Sequence, residues 1–144
     1  MSLKVELKPH ERIIIGNCVV TNSDQRTRLF IDGKAPVLRE KDILTEATAN
    51  SPARRIYFAV QLMYLEDNIE TLRSDYFALV NDIVTAAPSC IPIVDQINNE
   101  ILTGSLYKAL KAAKRLIQHE EGLLDAARRS GSLSAGFSAD DESA

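Results

Sequence analysis

Residues 47–67 read ATANSPARRIYFAVQLMYLED, and at Ser51 the apolar pattern of the chain changes its period. Ser51 followed by Pro52 is a helix start. A serine hydroxyl can accept from the free N–H groups of a first turn, and proline suits the first helical position, where its missing N–H costs nothing. From Ala53 to Leu65 only Arg54, Arg55 and Gln61 are polar. A helix apolar nearly all the way round has no side to give to water, so it is expected at the centre, touching a sheet on one side and other helices on the other.

Upstream of this point, from Leu3 to about Leu44, the period is near two. Leu3, Val5 and Leu7 alternate with Lys4, Glu6 and Lys8, and Ile13-Ile14-Ile15, Cys18-Val19-Val20 and Leu29-Phe30-Ile31 are short and mostly β-branched. Pro9-His10-Glu11, Gly16-Asn17, Thr21-Asn22-Ser23-Asp24 and Asp32-Gly33-Lys34 separate them with residues that tolerate tight turns. Parallel crossovers need roughly a dozen residues or more, so four or five strands in so short a stretch predict an antiparallel meander or a small sandwich.

Downstream, the period is near 3.6. A second helix after Asp67-Asn68 places Ile69, Leu72, Tyr76, Leu79, Val80 and Ile83 on one face and stops before Pro88. A third, from about Ile91 with Pro92 in its first turn, presents Ile93, Val94, Ile97, Ile101 and Leu102, and ends at Thr103-Gly104. The fourth, from Ser105 to about Arg129, turns Leu106, Leu110, Ala113, Ile117 and Leu124 inward and Lys108, Lys111, Lys114, Arg115 and Gln118 outward, antiparallel to the third. The last residues, SGSLSAGFSADDESA, hold only Leu133 and Phe137 as large apolar side chains. The expected fold is therefore α+β. A small N-terminal antiparallel sheet or sandwich over residues 1–50 packs against a bundle of three to four helices over residues 51–129 as one compact unit, and residues 130–144 form a disordered tail.

With 144 residues, 45% apolar and 26% charged, the composition is that of an ordinary globular protein. The formal charge of −3 argues against a surface coated in positive charge, so any nucleic-acid site must be a local patch. Lys4, Glu6 and Lys8 interrupt every apolar run near the N-terminus, and no stretch approaches the ~20 apolar residues that span a bilayer; a cytoplasmic protein with no membrane partner is expected. Cys18 and Cys90 form no CxxC or Cys/His cluster, so two reduced thiols are the simplest reading, with a single disulfide as the alternative.

Signatures of catalysis are missing: there is no GxGxxG, Walker loop, HExxH or GxSxG, and no metal-ligand spacing. No catalytic residue, metal or cofactor is expected. His119, beside Glu120 and Glu121, reads as part of a solvated helix face, and His10 as a turn residue.

The basic residues carry more. Arg26, Arg28 and Phe30 share one face of a predicted strand, with Leu29 and Ile31 on the other. Cations beside an aromatic ring suit unstacked RNA bases and their phosphates, although an ordinary solvated face reads the same way. Lys34, Arg39 and Lys41 extend this candidate patch, but Arg39-Glu40-Lys41-Asp42 alternates in sign and equally suits internal ion pairing. Arg54 and Arg55 stand in a first helical turn, where cations oppose the helix dipole; an anionic ligand would explain them, and so would Glu40, Asp42 or Glu46 across the junction. Lys108, Lys111 and Arg115 make a second candidate patch at i, i+3 and i+7. Tyr57, Phe58, Met63 and Tyr64 read as core.

Four blocks accumulate in this reading: LKVELKP at 3–9 with ERIIIGNCVV at 11–20, APVLREKDIL at 35–44, SPARRIYFAVQLMYLED at 51–67, and LYKALKAAKRLIQHEEGLL at 106–124. In order and spacing they resemble the FlbT family of bacterial flagellar regulators over residues 1–129. The resemblance implies a non-enzymatic regulator that associates with the 5′ untranslated leader of a flagellin messenger RNA and represses its translation or promotes its degradation. Some members of the family instead favour flagellin production. It carries over no RNA-contacting residue, so the basic patches remain physical inferences. The alternative is a helical interaction module or chaperone-like adaptor that binds flagellin or another flagellar regulatory protein and affects the message indirectly.

Overall fold

The computed structural model of the chain describes residues 2–66 and 69–138. Five strands come first: β1 (Ser2–Leu7), β2 (Arg12–Ile15), β3 (Cys18–Thr21), β4 (Thr27–Asp32) and β5 (Val37–Arg39). They form two antiparallel sheets, β1 with β4, and β2 between β3 and β5. The alternation in the sequence sets the faces. Val5, Leu7 and Ile13 are buried together with Ile15, Leu29, Ile31 and Val37 packed on them, while Lys4, Glu6, Arg28 and Phe30 face outward. The sheets thus enclose a small sandwich core of their own. Gly16 (φ 64°) makes the tight turn that brings Cys18 opposite Ile15. His10 takes the same left-handed region (φ 66°), held there by its N–H to Ser23 O (2.8 Å) and by Glu11 N–H to Lys8 O (3.1 Å).

The helices are α1 (Pro52–Glu66), α2 (Arg73–Ala86), α3 (Ile91–Leu102) and α4 (Leu106–Ser138). They share one large core in which Ile56, Val60, Met63, Tyr76, Ile83, Val94, Ile97, Leu110 and Leu116 are buried, joined by Leu38 from β5. Ser51 caps α1, its Oγ accepting from Arg54 N–H at 3.2 Å. As its apolar surface predicts, α1 is central, and its few polar atoms grip the strand segment beside it. Tyr57, Gln61 and Tyr64 lie at i, i+4 and i+7, on one face. The Tyr57 hydroxyl donates to Asp42 O (2.5 Å). The Gln61 amide accepts from Leu44 N–H (2.8 Å) and donates to Leu44 O (2.9 Å). The Tyr64 hydroxyl accepts from Val37 N–H (3.0 Å) and donates to Val37 O (3.1 Å). Strand β5 is paired with β2 on one side only, and the backbone groups of Val37, Asp42 and Leu44 left without sheet partners are met by side chains of the central helix.

Four details depart from the sequence reading. The second helix, expected just after Asp67-Asn68, starts at Arg73, with Ile69 and Leu72 packing on the core from the turn before it; Asp67 and Asn68 themselves lie outside the described residues. Leu102, expected inward, is 78% exposed, because α3 ends there and its last turn passes the edge of the core. Leu124, also expected inward, is 49% exposed, because α4 outruns its neighbours: from Glu121 to Ser130 every residue is exposed. The backbone of α4 continues to Ser138, past Arg129; the expected tail falls partly on these last turns and partly on residues 139–144, which lie outside the described residues. Among the described residues no helix is long and apolar enough to cross a membrane.

Candidate functional site

The buried stripe of α4, formed by Leu106, Ala109, Leu110, Ala113 and Leu116, fixes the rotation of that helix about its axis. The adjacent stripe, Tyr107, Lys111, Lys114 and Gln118, is thereby set along a seam facing the short turn Glu40–Asp42 that follows β5. Three adjoining hollows of about 370, 250 and 470 Å³ run along this seam, and Lys41 and Asp42 line all of them. Their walls carry seven cations (Lys4, Arg39, Lys41, Arg54, Lys111, Lys114 and Arg115) against two carboxylates (Asp42 and Glu121). On a chain of net charge −3 this is a local concentration of positive charge.

Several of these cations are already engaged. Lys114 Nζ is 2.7 Å from Asp42 Oδ1. Arg54 pairs with Glu121 at 2.8 Å. Arg39 pairs with Glu11 at 3.3 Å and donates to Glu6 O at 2.7 Å, tying β5 to β1. Lys41 and Arg115 make no ion pair among the described residues. Lys111 rests its ammonium over the Tyr107 ring, 5.2 Å from the centroid. That ring is 47% exposed and leans on Tyr64 at a centroid distance of 5.8 Å. Beneath it, burial, reinforced by the Asp42 carboxylate, pushes the Tyr57 hydroxyl up, so it stays a proton donor. The seam combines paired and unpaired cations, one exposed ring and two carboxylates, Asp42 and Glu121. It is equipped to bind a flexible anion with flat groups.

The structure brings together residues that the sequence placed in separate patches. Lys41 and Arg39 from the first patch, Arg54 from the α1 start, and Lys111 and Arg115 from the second patch all line the seam. Lys108 stands outside it on the exposed side of α4, and Arg55 is exposed on α1. Arg26, Arg28, Phe30 and Lys34 line none of these hollows; they lie on the outer face of the β1–β4 sheet and its turns, which the seam meets at Lys4. There Phe30 is 64% exposed opposite Lys4, as the strand period predicts, but Arg28 is paired with Glu6 at 3.4 Å. Arg54 does not pair with Glu40, Asp42 or Glu46. Glu40 faces Arg12 (4.0 Å), Asp42 faces Lys114, and Arg54 takes Glu121 from the far end of the sequence.

Sequence reasoning missed Tyr107 and Glu120. Tyr107 sits four residues before Lys111, a spacing that could have signalled the ring and cation contact. Glu120, expected on a solvated face, is 8% exposed; its carboxylate accepts from Ser51 Oγ (2.6 Å) and Ala53 N–H (2.9 Å), capping α1 from another helix. The negative charge at this N-terminus offsets the cost of Arg54 and Arg55 there. His119 is half-buried, with Nε2 2.9 Å from Ser89 Oγ. Cys18 is exposed and Cys90 buried, both as free thiols.

No solved structure matches this chain. A protein named "Probable flagellum biosynthesis repressor protein FlbT 1" from Bradyrhizobium diazoefficiens is 62% identical over 124 residues, covering 85% of each chain. One named "Probable flagellum biosynthesis repressor protein FlbT" from Rhodopseudomonas palustris is 52% identical over 124 residues, covering 86% of this chain and 98% of its own. The "Flagellum biosynthesis repressor protein FlbT" of Caulobacter vibrioides is 34% identical over 142 residues, covering 96% of both. The profile described as "Flagellar protein FlbT" matches residues 3–124, a span that takes in both sheets, all of α1 to α3 and the seam-lining part of α4. The chain therefore belongs to the FlbT family of flagellar proteins.

Proposed function

We propose that this protein is a cytoplasmic, non-enzymatic regulator of flagellum synthesis that represses flagellin production by associating with the 5′ untranslated leader of the flagellin message, lowering its translation or lifetime. The names of its relatives support the regulatory reading. The observation that carries RNA contact is the seam, where Lys41, Lys111 and Arg115 line the same hollow as an exposed tyrosine ring. Cations neutralise phosphates and an exposed ring receives an unstacked base. The seam holds no group poised to cut RNA, so faster decay of the message requires a separate ribonuclease.

A gel-shift titration of purified protein on the leader RNA at several salt concentrations tests this reading. Direct binding gives an affinity that falls steeply with salt. Lys111→Glu with Arg115→Glu lowers the affinity and makes the salt slope shallower by about 1.4, at ~0.7 for each phosphate contact to a single strand. The pair Arg26→Glu with Arg28→Glu is matched in charge but lies on the β1–β4 face, and leaves the slope unchanged. No binding by the pure protein at low salt defeats direct RNA contact. A protein-interaction module would then stand, favoured by the exposed Leu123 and Leu124 on the projecting part of α4.

A further inference from the structure

We propose that the seam is a single-strand site selective for guanine, with the base against Tyr107 and its Watson–Crick edge read by Asp42 and the lysines beside it. This rests on the reading of the seam as an RNA site and adds what the site selects.

Shape excludes a duplex. From Tyr107 to Glu121 the seam follows α4 for ~21 Å at 1.5 Å per residue. Tyr107 and the lysines are exposed along it, but Asp42, the group that reads the base edge, is recessed between α4 and the Glu40–Asp42 turn and exposes only 21% of its side chain. Bases stacked inside a duplex cannot enter such a recess; a base swung out of a single strand can.

Tyr107 offers the stacking surface. The Lys111 ammonium resting over the ring is held by a cation–π contact worth only ~0.5–1 kcal/mol at an exposed site. An incoming base displaces it at small cost, and the freed ammonium then meets the adjoining phosphate, together with Arg115. The same lysine thus covers the ring in the empty site and neutralises charge in the filled one.

Selectivity follows from Asp42. A carboxylate within a cationic groove repels phosphates, so it is misplaced in a site that binds only backbone. Asp42 Oδ1 accepts from Lys114, while Oδ2 takes no hydrogen bond from the described residues. Guanine presents two adjacent donors, N1–H and N2–H, followed by the O6 acceptor. The carboxylate takes the two donors and the ammonium of Lys114 or Lys41 takes O6. Uracil turns carbonyl oxygens toward the carboxylate on both sides of its single N–H, and adenine and cytosine offer one amino group each. Inosine keeps N1–H and O6 but lacks the 2-amino donor.

The test is fluorescence anisotropy on labelled RNA hexamers carrying guanosine, inosine, adenosine, cytidine or uridine at one central position in an otherwise all-uridine strand. The guanosine strand is expected to bind about 10-fold more tightly than all-uridine, within the range of one bidentate base contact, with inosine between them. Asp42→Asn removes the preference while binding all-uridine RNA as well as or better than the parent, because it loses a repulsive charge. Tyr107→Ala weakens every strand, and annealing the complement abolishes the preference. Circular dichroism of both variants confirms that they fold. Equal affinity for all five strands, or a preference that survives in Asp42→Asn, overturns the guanine site while leaving RNA binding intact. Failure of every hexamer and of the full leader to bind overturns both readings. Capture of an acidic peptide at the seam in place of RNA does the same.

Discussion

The two halves of the molecule are held in different ways. The helical half buries a continuous apolar core drawn from all four helices. The strand half encloses three buried side chains between two small sheets, and is otherwise held by polar ties such as Arg39 to Glu6 O and Asn22 Nδ2 to Lys8 O (2.8 Å). Leu38 in the helical core and the grip of Tyr57, Gln61 and Tyr64 on residues 37–44 join the two. The difference teaches where stability and adaptability lie. The seam lies at this join: one wall, α4, belongs to the helical core, and the other, the Glu40–Asp42 turn, follows β5 of the strand half and is tied to the helices through Asp42.

The largest effect should come from matched truncations, one in each core. Ile56 and Ile13 are both 0% exposed. Ile56→Ala should cost about 4 kcal/mol, near the upper end for such changes, because helices packed on every side cannot collapse into the cavity. Ile13→Ala should cost about 2 kcal/mol, because two small sheets can close on the gap. Urea denaturation of both variants measures the difference. Equal losses would show that the strand core is packed as tightly as the helical one.

The tie between α4 and the start of α1 should come next. Removing the Glu120 carboxylate leaves Ala53 N–H without its partner in a buried place, an expected loss of about 2 kcal/mol in Glu120→Ala. Glu120→Gln keeps one acceptor and should lose less. Hydrogen exchange should locate the change at the first turn of α1, with the strands unaffected. Loss of protection in the strands instead would mean that the two halves are coupled more tightly than their separate cores imply.

The sequence legibly carried what depends on neighbours along the chain. The change of period at Ser51, the faces of β4 and the central place of α1 follow from spacing and composition, and the structure has all three. What it did not carry depends on partners far away in sequence. Glu120 and Glu121 look like solvent residues beside His119 until the fold brings α4 across the start of α1, nearly 70 positions earlier, as in the Ser51–Glu120 bond with a separation of 69. Lys41 and Lys111 look like members of unrelated patches until the same packing makes them two sides of one groove. Leu124 fits the inward stripe of its helix, and no local signal says that the neighbouring elements stop short of it.

The smallest effect sharpens the comparison through pH. Glu11 accepts from Lys8 N–H at 2.8 Å and pairs with Arg39 at 3.3 Å. The Lys8 backbone bond chiefly, and the Arg39 guanidinium in addition, hold its carboxyl below the ordinary glutamate value against the opposing effect of burial. Because the folded value lies below the unfolded one, near 4.3, the stabilisation is fully present above that pH. It is lost as acid protonates the folded carboxyl, in a window beginning near pH 4 and extending lower. Both contacts tie the strand half, so protection of β1, β2 and β5 amides should fall in this window before that of the helices. Glu11→Gln should be less stable at neutral pH by about 1 kcal/mol or less, as expected of one partly exposed pair, and the two proteins should converge in acid. Hydrogen exchange at pH 6, 4 and 3 on both proteins measures this. If α1 to α4 lose protection together with the strands, and to the same extent, the strand half does not open separately from the helical one.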